Sequence, residues 1–149
     1  MSIVVREAKP DDFIAWRQLW QGYLDFAGSQ LDEAITQETW ARIHTANASL
    51  ICRLAERDAH IVGFALCVLH EGTWVTEPLC YLEDLYVDQR SRGKGVGRAL
   101  IEDLQREGRE KGWAKVYWVT RTHNPARKLY EQVATQDDIV RYSVRLNAH

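Results

Sequence analysis

Two short stretches carry residue types whose spacing suits chemistry. The first is RSRGKGVGRAL, Arg90 to Leu100, where three glycines (Gly93, Gly95, Gly97) alternate with other residues among basic side chains. An apolar helical pattern follows at once, through Val96, Ala99, Leu100, Ile101 and Leu104. The first turn of a helix leaves backbone N–H groups without partners, and the helix dipole adds partial positive charge there. Glycine has no Cβ, so an anion can come close to the backbone and the chain can take positive φ. With Arg90, Arg92, Lys94 and Arg98 around it, the loop reads as an anion site for phosphate. The second stretch is NPARKLY, Asn124 to Tyr130. Ala126 and Tyr130 fall on one helix face, a small residue beside a phenol. The bland alternatives are a glycine turn capping a surface helix and a tyrosine packed in a core.

Which phosphate the loop holds is narrowed by spacing. Lys94 is followed by Gly95 instead of Ser or Thr, so GxxxxGK[ST] is absent. GxGxxG needs a glycine where Arg98 stands, so the dinucleotide fingerprint also fails. The pattern present is Arg-x-x-Gly-x-Gly, as Arg92, Gly95 and Gly97.

These residues must be positioned by the elements around them. Alternation in IVVREA (Ile3 to Ala8) predicts a strand. A helix follows, with Phe13, Trp16, Leu19, Trp20, Tyr23 and Ala27 on one stripe, and Gly28-Ser29 ends it. A second helix is expected from Thr36 to Ala46. LICRLAE and HIVGFALCVL read as strands joined by a tight turn at Arg57-Asp58-Ala59. A loop from His70 to Pro78 leads to the strand Cys80 to Val87. Then come the glycine loop, a helix to Lys111 with Gly112 as its C-cap, and a strand from Ala114 to Thr120. The chain closes with a helix from Asn124 to Val133, capped by Asn124 with Pro125 at its start, and a strand from Ile139 to Leu146. The order β-αα-βββ-α-β-α-β predicts an α/β fold of the α+β type, one domain over 1–149, with helices covering a mixed sheet.

Composition excludes several classes. The net charge is -2, so no global field points to nucleic acid or anionic membrane. No apolar run approaches the ~20 residues of a membrane helix, and the N-terminus turns acidic too soon for a signal peptide, so a cytoplasmic location is expected. Cys52, Cys67 and Cys80 are odd in number, widely spaced and set in apolar runs, which reads as buried free thiols. The five histidines, His44, His60, His70, His123 and His149, lack metal-ligand spacing, so no metal is expected.

Taken together, the stretches resemble the GCN5-related N-acetyltransferases. Arg92 to Gly97 is similar to that family's Q/R-x-x-G-x-G/A pyrophosphate loop, and Asn124 to Tyr130 to its N-x-x-A-x-x-L-Y helix, with the alanine one place early. Tyr81 to Val87, YLEDLYV, resembles the matching strand of spermidine/spermine acetyltransferases. WRQLWQGYLDF and IVRY resemble bacterial relatives of the yeast histone and polyamine acetyltransferase. Two departures stand out: Gln89 replaces a frequent proline, and Gln132 to Thr135 replaces K-x-G-F.

The resemblance implies a mostly antiparallel sheet whose splayed strands form an acetyl-CoA cleft, and acetyl transfer to a primary amine. It places cofactor contacts on Leu85, Tyr86, Val87, Arg92, Gly93, Lys94, Gly95, Val96, Gly97, Arg98, Asn124, Arg127 and Tyr130. With a pKa of about 10.4, only about one lysine-like amine in 10³ is neutral at pH 7, so a base is needed. Glu83 is the candidate, acting through water, on a strand face expected to carry Tyr81, Glu83, Leu85 and Val87 with Asp84 opposite. A backbone N–H of 85–87 would stabilise charge on the thioester oxygen, and Tyr130 would supply the leaving thiolate's proton. The acceptor is expected to be a small amine or polyamine, met by Trp20, Tyr23 and Glu83, with Trp16, Phe26 and Trp74 as further wall candidates. Asp25, Asp32, Glu33, Glu71 and Glu77 are carboxylates that would attract a polycation. The alternatives are a protein lysine or N-terminus as acceptor, and a non-catalytic CoA-binding module. A homodimer is expected from the family.

Overall fold

The computed structural model describes residues 2–147; His149 lies outside them. The chain divides into two compact units, 1–119 and 120–149.

The first unit is built on a sheet of five strands in the order β1-β2-β3-β4-β5, namely β1 Ile3–Glu7, β2 Leu50–Arg57, β3 His60–His70, β4 Leu79–Val87 and β5 Lys115–Tyr117. The first three pairings are antiparallel and β4 with β5 is parallel, as expected of a mixed, mostly antiparallel sheet. The β2–β3 hairpin turns through Asp58 and Ala59, both at positive φ (52° and 64°), the backbone a two-residue turn between twisted strands requires.

Helices α1 (Phe13–Phe26) and α2 (Glu33–Ile43) cover one face. Their apolar stripe puts Trp16, Leu19, Trp20, Leu24 and Trp40 against Cys52, Leu54, Phe64 and Leu66 of the sheet. Trp16 is the centre, stacked on Trp20 at 5.1 Å and on Trp40 at 4.8 Å. Helix α3 (Val96–Lys111) covers the other face with Val96, Leu100, Ile101 and Leu104. It lies so close that a Cβ on Gly63 would stand 3.1 Å from Val96 and 3.0 Å from the Tyr86 carbonyl oxygen. Arg53 of β2 grips buried Asp103 of α3 through two bonds of 2.8 and 3.0 Å, which fixes the helix on the sheet. Gly112 caps α3 at φ 75°, as expected. Cys52, Cys67 and Cys80 are free and buried between these layers.

The second unit holds α4 (Arg127–Val133), preceded by a turn in which Asn124 and Pro125 carbonyls accept from Arg127 and Lys128. The helix therefore starts later than expected, because Asn124 and Pro125 form the turn that launches it. The expected strand Ile139–Leu146 is not formed, and no strand ladder includes it. Alternation makes a segment fit for a sheet, but a strand exists only where an edge accepts its backbone groups. β5 is also shorter than the expected Ala114–Thr120, because it parts from β4 after Tyr117.

Candidate functional site

The parting of β4 from β5 is the central feature. The two strands pair only at Leu79–Lys115, Cys80–Val116 and Tyr81–Tyr117, while β4 runs on to Val87. The β4 edge from Leu82 to Val87 thus runs on without a strand partner in β5. A linear chain bearing amides can pair with such an edge as an added strand would.

Beyond Val87, a short 3-10 turn (Gln89–Ser91) leads into the glycine loop. Gly93 and Gly95 sit at φ 76° and 87°, a conformation that favours glycine. A Cβ at either would project into open space, so the loop presents bare backbone to its surroundings. The first bond of α3 runs from the Ala99 N–H to the Gly95 carbonyl at 3.0 Å, so the N–H groups of Val96 and Gly97 stand in the first turn, ahead of the helix's own ladder. Arg92 fastens the loop: its Nε donates to the Val87 carbonyl at 3.1 Å, and its guanidinium lies 5.4 Å from the Tyr86 ring and 5.6 Å from that of Phe26. Lys94 is exposed beside it. The donors, charge and room fit a pyrophosphate, so the cradle suits CoA.

β4 carries a bulge that changes the expected faces. Leu66 pairs with Asp84 and Cys67 with Leu82, leaving Glu83 as the extra residue. Before the bulge, Tyr81 pairs with Val68, on the face that Phe64 shares with α1. After it, Asp84 and Tyr86 take that face, and Leu85 and Val87 turn toward α3. The expectation that Tyr81, Glu83, Leu85 and Val87 share one face is therefore corrected: the bulge joins Tyr81 to the face of Asp84 and Tyr86. Glu83 itself is exposed near the start of the edge that β5 leaves. Tyr86 spends its ring on Tyr23 of α1 and Phe64 of β3, with its hydroxyl where a Cβ on Gly22 would stand. Only its backbone remains for a ligand.

The substrate residues divide likewise. Trp20 is core: it is buried, and its Nε1 donates to Thr36 Oγ1 at 3.0 Å, so it offers no wall to an acceptor. Trp16 is fully buried as well, whereas Trp74 is 96% exposed. Tyr23 is half-buried and is the hydrogen-bond partner of Asp84. Burial pushes the Asp84 carboxyl up to about 6, with the Tyr23 bond opposing and Glu83 adding to the rise. Burial also raises the Tyr23 phenol, helped by the nearby Asp84 charge.

In the second unit, Asn124 is held by its own turn. Its Nδ2 donates to Thr120 Oγ1 at 2.8 Å, and its Oδ1 accepts from the Ala126 N–H at 3.0 Å. Arg127 donates to the Thr122 carbonyl at 2.6 Å and to Gln136 Oε1 at 3.2 Å. Tyr130 is half-buried, and burial raises its phenol above the ordinary value, which keeps it protonated at neutral pH.

Three residues escaped the sequence reading. Asp84 was set aside by simple alternation. His70 and Tyr117 are far apart in sequence and meet only in the sheet, where His70 Nε2 and the Tyr117 hydroxyl are 2.6 Å apart. No local signal marks that pair.

A model of the Acetyltransferase (GNAT) family matches residues 13–134. The chain is 38% identical over 143 residues to a D-amino-acid N-acetyltransferase, HPA3, of Saccharomyces cerevisiae, covering 94% of this chain and 89% of the relative. It is 36% identical over 111 residues to an aminoglycoside N(6')-acetyltransferase type 1 of Stenotrophomonas maltophilia, covering 72% and 69%. Among solved structures, AAC(6')-Iy in complex with the bisubstrate analog CoA-S-monomethyl-acetylneamine superposes with a TM-score of 0.81 at 22% identity, covering 98% of this chain and all of that one.

Proposed function

The chain belongs to the acetyltransferase (GNAT) family and is an acetyl-CoA-dependent N-acetyltransferase, and from that premise we propose that its acceptor is a small free primary amine or polyamine, which attacks directly. The observation that carries the reading is the β4 edge that β5 leaves beyond Tyr81 and Tyr117, continuous along the chain with the glycine loop at the α3 N-terminus. The relative named for D-amino acids, matched over 94% of this chain, supports a small acceptor and makes a free D-amino acid the first to test.

When bound, acetyl-CoA supplies an acetyl group activated as a thioester. The chain's own residues divide the remaining work. Gly93, Lys94, Gly95 and the N–H groups of Val96 and Gly97 hold phosphate, and Arg92 and Arg98 add positive charge beside them. The backbone of Leu85, Tyr86 and Val87 orients the CoA arm and presents an N–H to the carbonyl oxygen. Glu83 draws in the ammonium and takes its proton through water. Tyr130 Oη holds the proton that the leaving thiolate needs, and Asn124 and Arg127 shape the turn that presents it.

Thiol release from acetyl-CoA, measured with D-alanine, L-alanine, an aminoglycoside, spermidine and a histone-tail peptide, tests the acceptor class. Release is expected with free small amines. Release with the peptide alone would overturn the reading, and a CoA-induced rise in melting temperature without release from any amine would replace it with a non-catalytic CoA-binding module.

A further inference from the structure

The glycine loop has little packing of its own. At Gly93 and Gly95 the chain takes φ 76° and 87°, and a Cβ at either would meet nothing within 4 Å. Glycine has the most backbone freedom to lose, so such a stretch is costly to order. Its shape therefore depends on what holds its two ends. The far end is Val96, buried at the head of α3. The near end is buried Ser91 followed by Arg92, whose side chain reaches back to β4.

Three contacts hold Arg92. Its Nε donates to the Val87 carbonyl at 3.1 Å, and its guanidinium carbon lies 5.4 Å from the centre of the Tyr86 ring and 5.6 Å from that of Phe26. Val87 and Tyr86 belong to the strand that leads into the loop, so they restrain Arg92 only locally. Phe26 is the last residue of α1, distant in sequence, and the one contact of the three that ties the loop to a helix. At 61% exposed, it adds little to the core. A guanidinium within about 6 Å of a ring centre is attracted to the ring's face. Its N–H donors lie in its own plane, so a ring over the guanidinium leaves those donors for hydrogen bonds.

We propose that Phe26 is a positioning residue for the cofactor: through its ring on the Arg92 guanidinium, α1 holds the near end of the glycine loop in the shape that takes the CoA pyrophosphate. The inference rests on the phosphate-cradle reading and deepens it. Phe26 moves from the acceptor wall, where the sequence placed it, to the cofactor side. Order present before binding need not be created by the ligand, so the contact is felt as CoA affinity.

The test measures CoA affinity by calorimetry, which needs no acceptor amine. It compares wild type, Phe26→Leu, Phe26→Trp, Arg92→Met and the double variant Phe26→Leu with Arg92→Met, each shown to be folded by its melting curve. Phe26→Leu keeps an apolar side chain and removes the ring. It is expected to weaken CoA binding about two- to fivefold, the worth of a cation–π contact near the surface. Phe26→Trp, the better partner for a cation, should match or exceed wild type. In the Arg92→Met background Phe26→Leu should cost nothing more, because no guanidinium is left to hold. The same loss with and without the guanidinium, or equal losses for Leu and Trp, would overturn the proposal. If wild type binds CoA and Phe26→Leu binds it equally well, this inference alone falls. If wild type binds no CoA, the phosphate-cradle reading falls and the inference goes with it.

Discussion

Glu83 and Asp84 are neighbouring carboxylates in opposite surroundings, one exposed at the bulge and one buried against Tyr23. Asp84 holds its proton more tightly when folded, with a pKa raised from 3.8 to about 6. The contribution of Asp84 to stability is therefore greatest below about pH 4, falls as pH rises through the folded value and stays reduced above it. The reduction has a ceiling of about 3 kcal/mol at neutral pH, since one pKa unit is worth 1.36 kcal/mol. Asp84→Asn is expected to gain melting temperature relative to wild type at pH 7.5 and to lose that advantage at pH 4. The gain stays under the ceiling, because the new amide hydrogens need partners. An advantage that is equal at both pH values would show that Asp84 does not titrate in this window. Tyr130→Phe removes only a hydroxyl. Turnover should drop by about 10²-fold or more if that proton serves the leaving thiolate, while CoA still raises the melting temperature. Turnover within twofold of wild type would remove Tyr130 from the acid role.

At the scale of elements, α3 and the glycine loop form one device. The Arg53–Asp103 pair and the close approach at Gly63 fix the helix, and the loop at its head inherits that position. Gly95→Val forces a β-branched residue toward φ 87° and fills the open side of the cradle. CoA affinity should fall at least tenfold, read by calorimetry, with the melting temperature of the free protein moving only a few degrees. Unchanged affinity would mean that the phosphates bind elsewhere. This element was legible in sequence, because glycines, basic residues and an amphipathic stripe all act locally. The bulge at Glu83 was not, because it is defined by pairing with Leu66 and Cys67 on another strand. Alternation alone placed Asp84 away from the site for that reason. Trp20 shows the converse error: an aromatic on a helix stripe reads the same in sequence whether it lines a pocket or meets Thr36 in the core.

At the scale of the molecule, the segment 139–146 keeps an apolar row without a strand to belong to. Tyr142 is 90% and Leu146 91% exposed, with Val140 and Val144 on the same alternation. A second copy docked on this row would bury apolar surface, so the homodimer expected from the family is tested here. Light scattering should give about twice 17.2 kDa, and Tyr142→Glu with Val144→Glu should shift it toward one chain. A wild-type monomer would discard the dimer. What the sequence by itself determined were the features that depend on near neighbours: the helix stripes, the β2–β3 turn, the Gly112 cap, the glycine loop and the free thiols in apolar strands. What only the tertiary structure decided were the features made by partners distant in the chain. The β4–β5 fork, the bulge, the buried Asp84 and the His70–Tyr117 bond each arise because sheet pairing brings together residues that no local pattern relates. The strand expected at 139–146 failed for the same reason: alternation supplies the side chains, but only another edge can supply the hydrogen bonds.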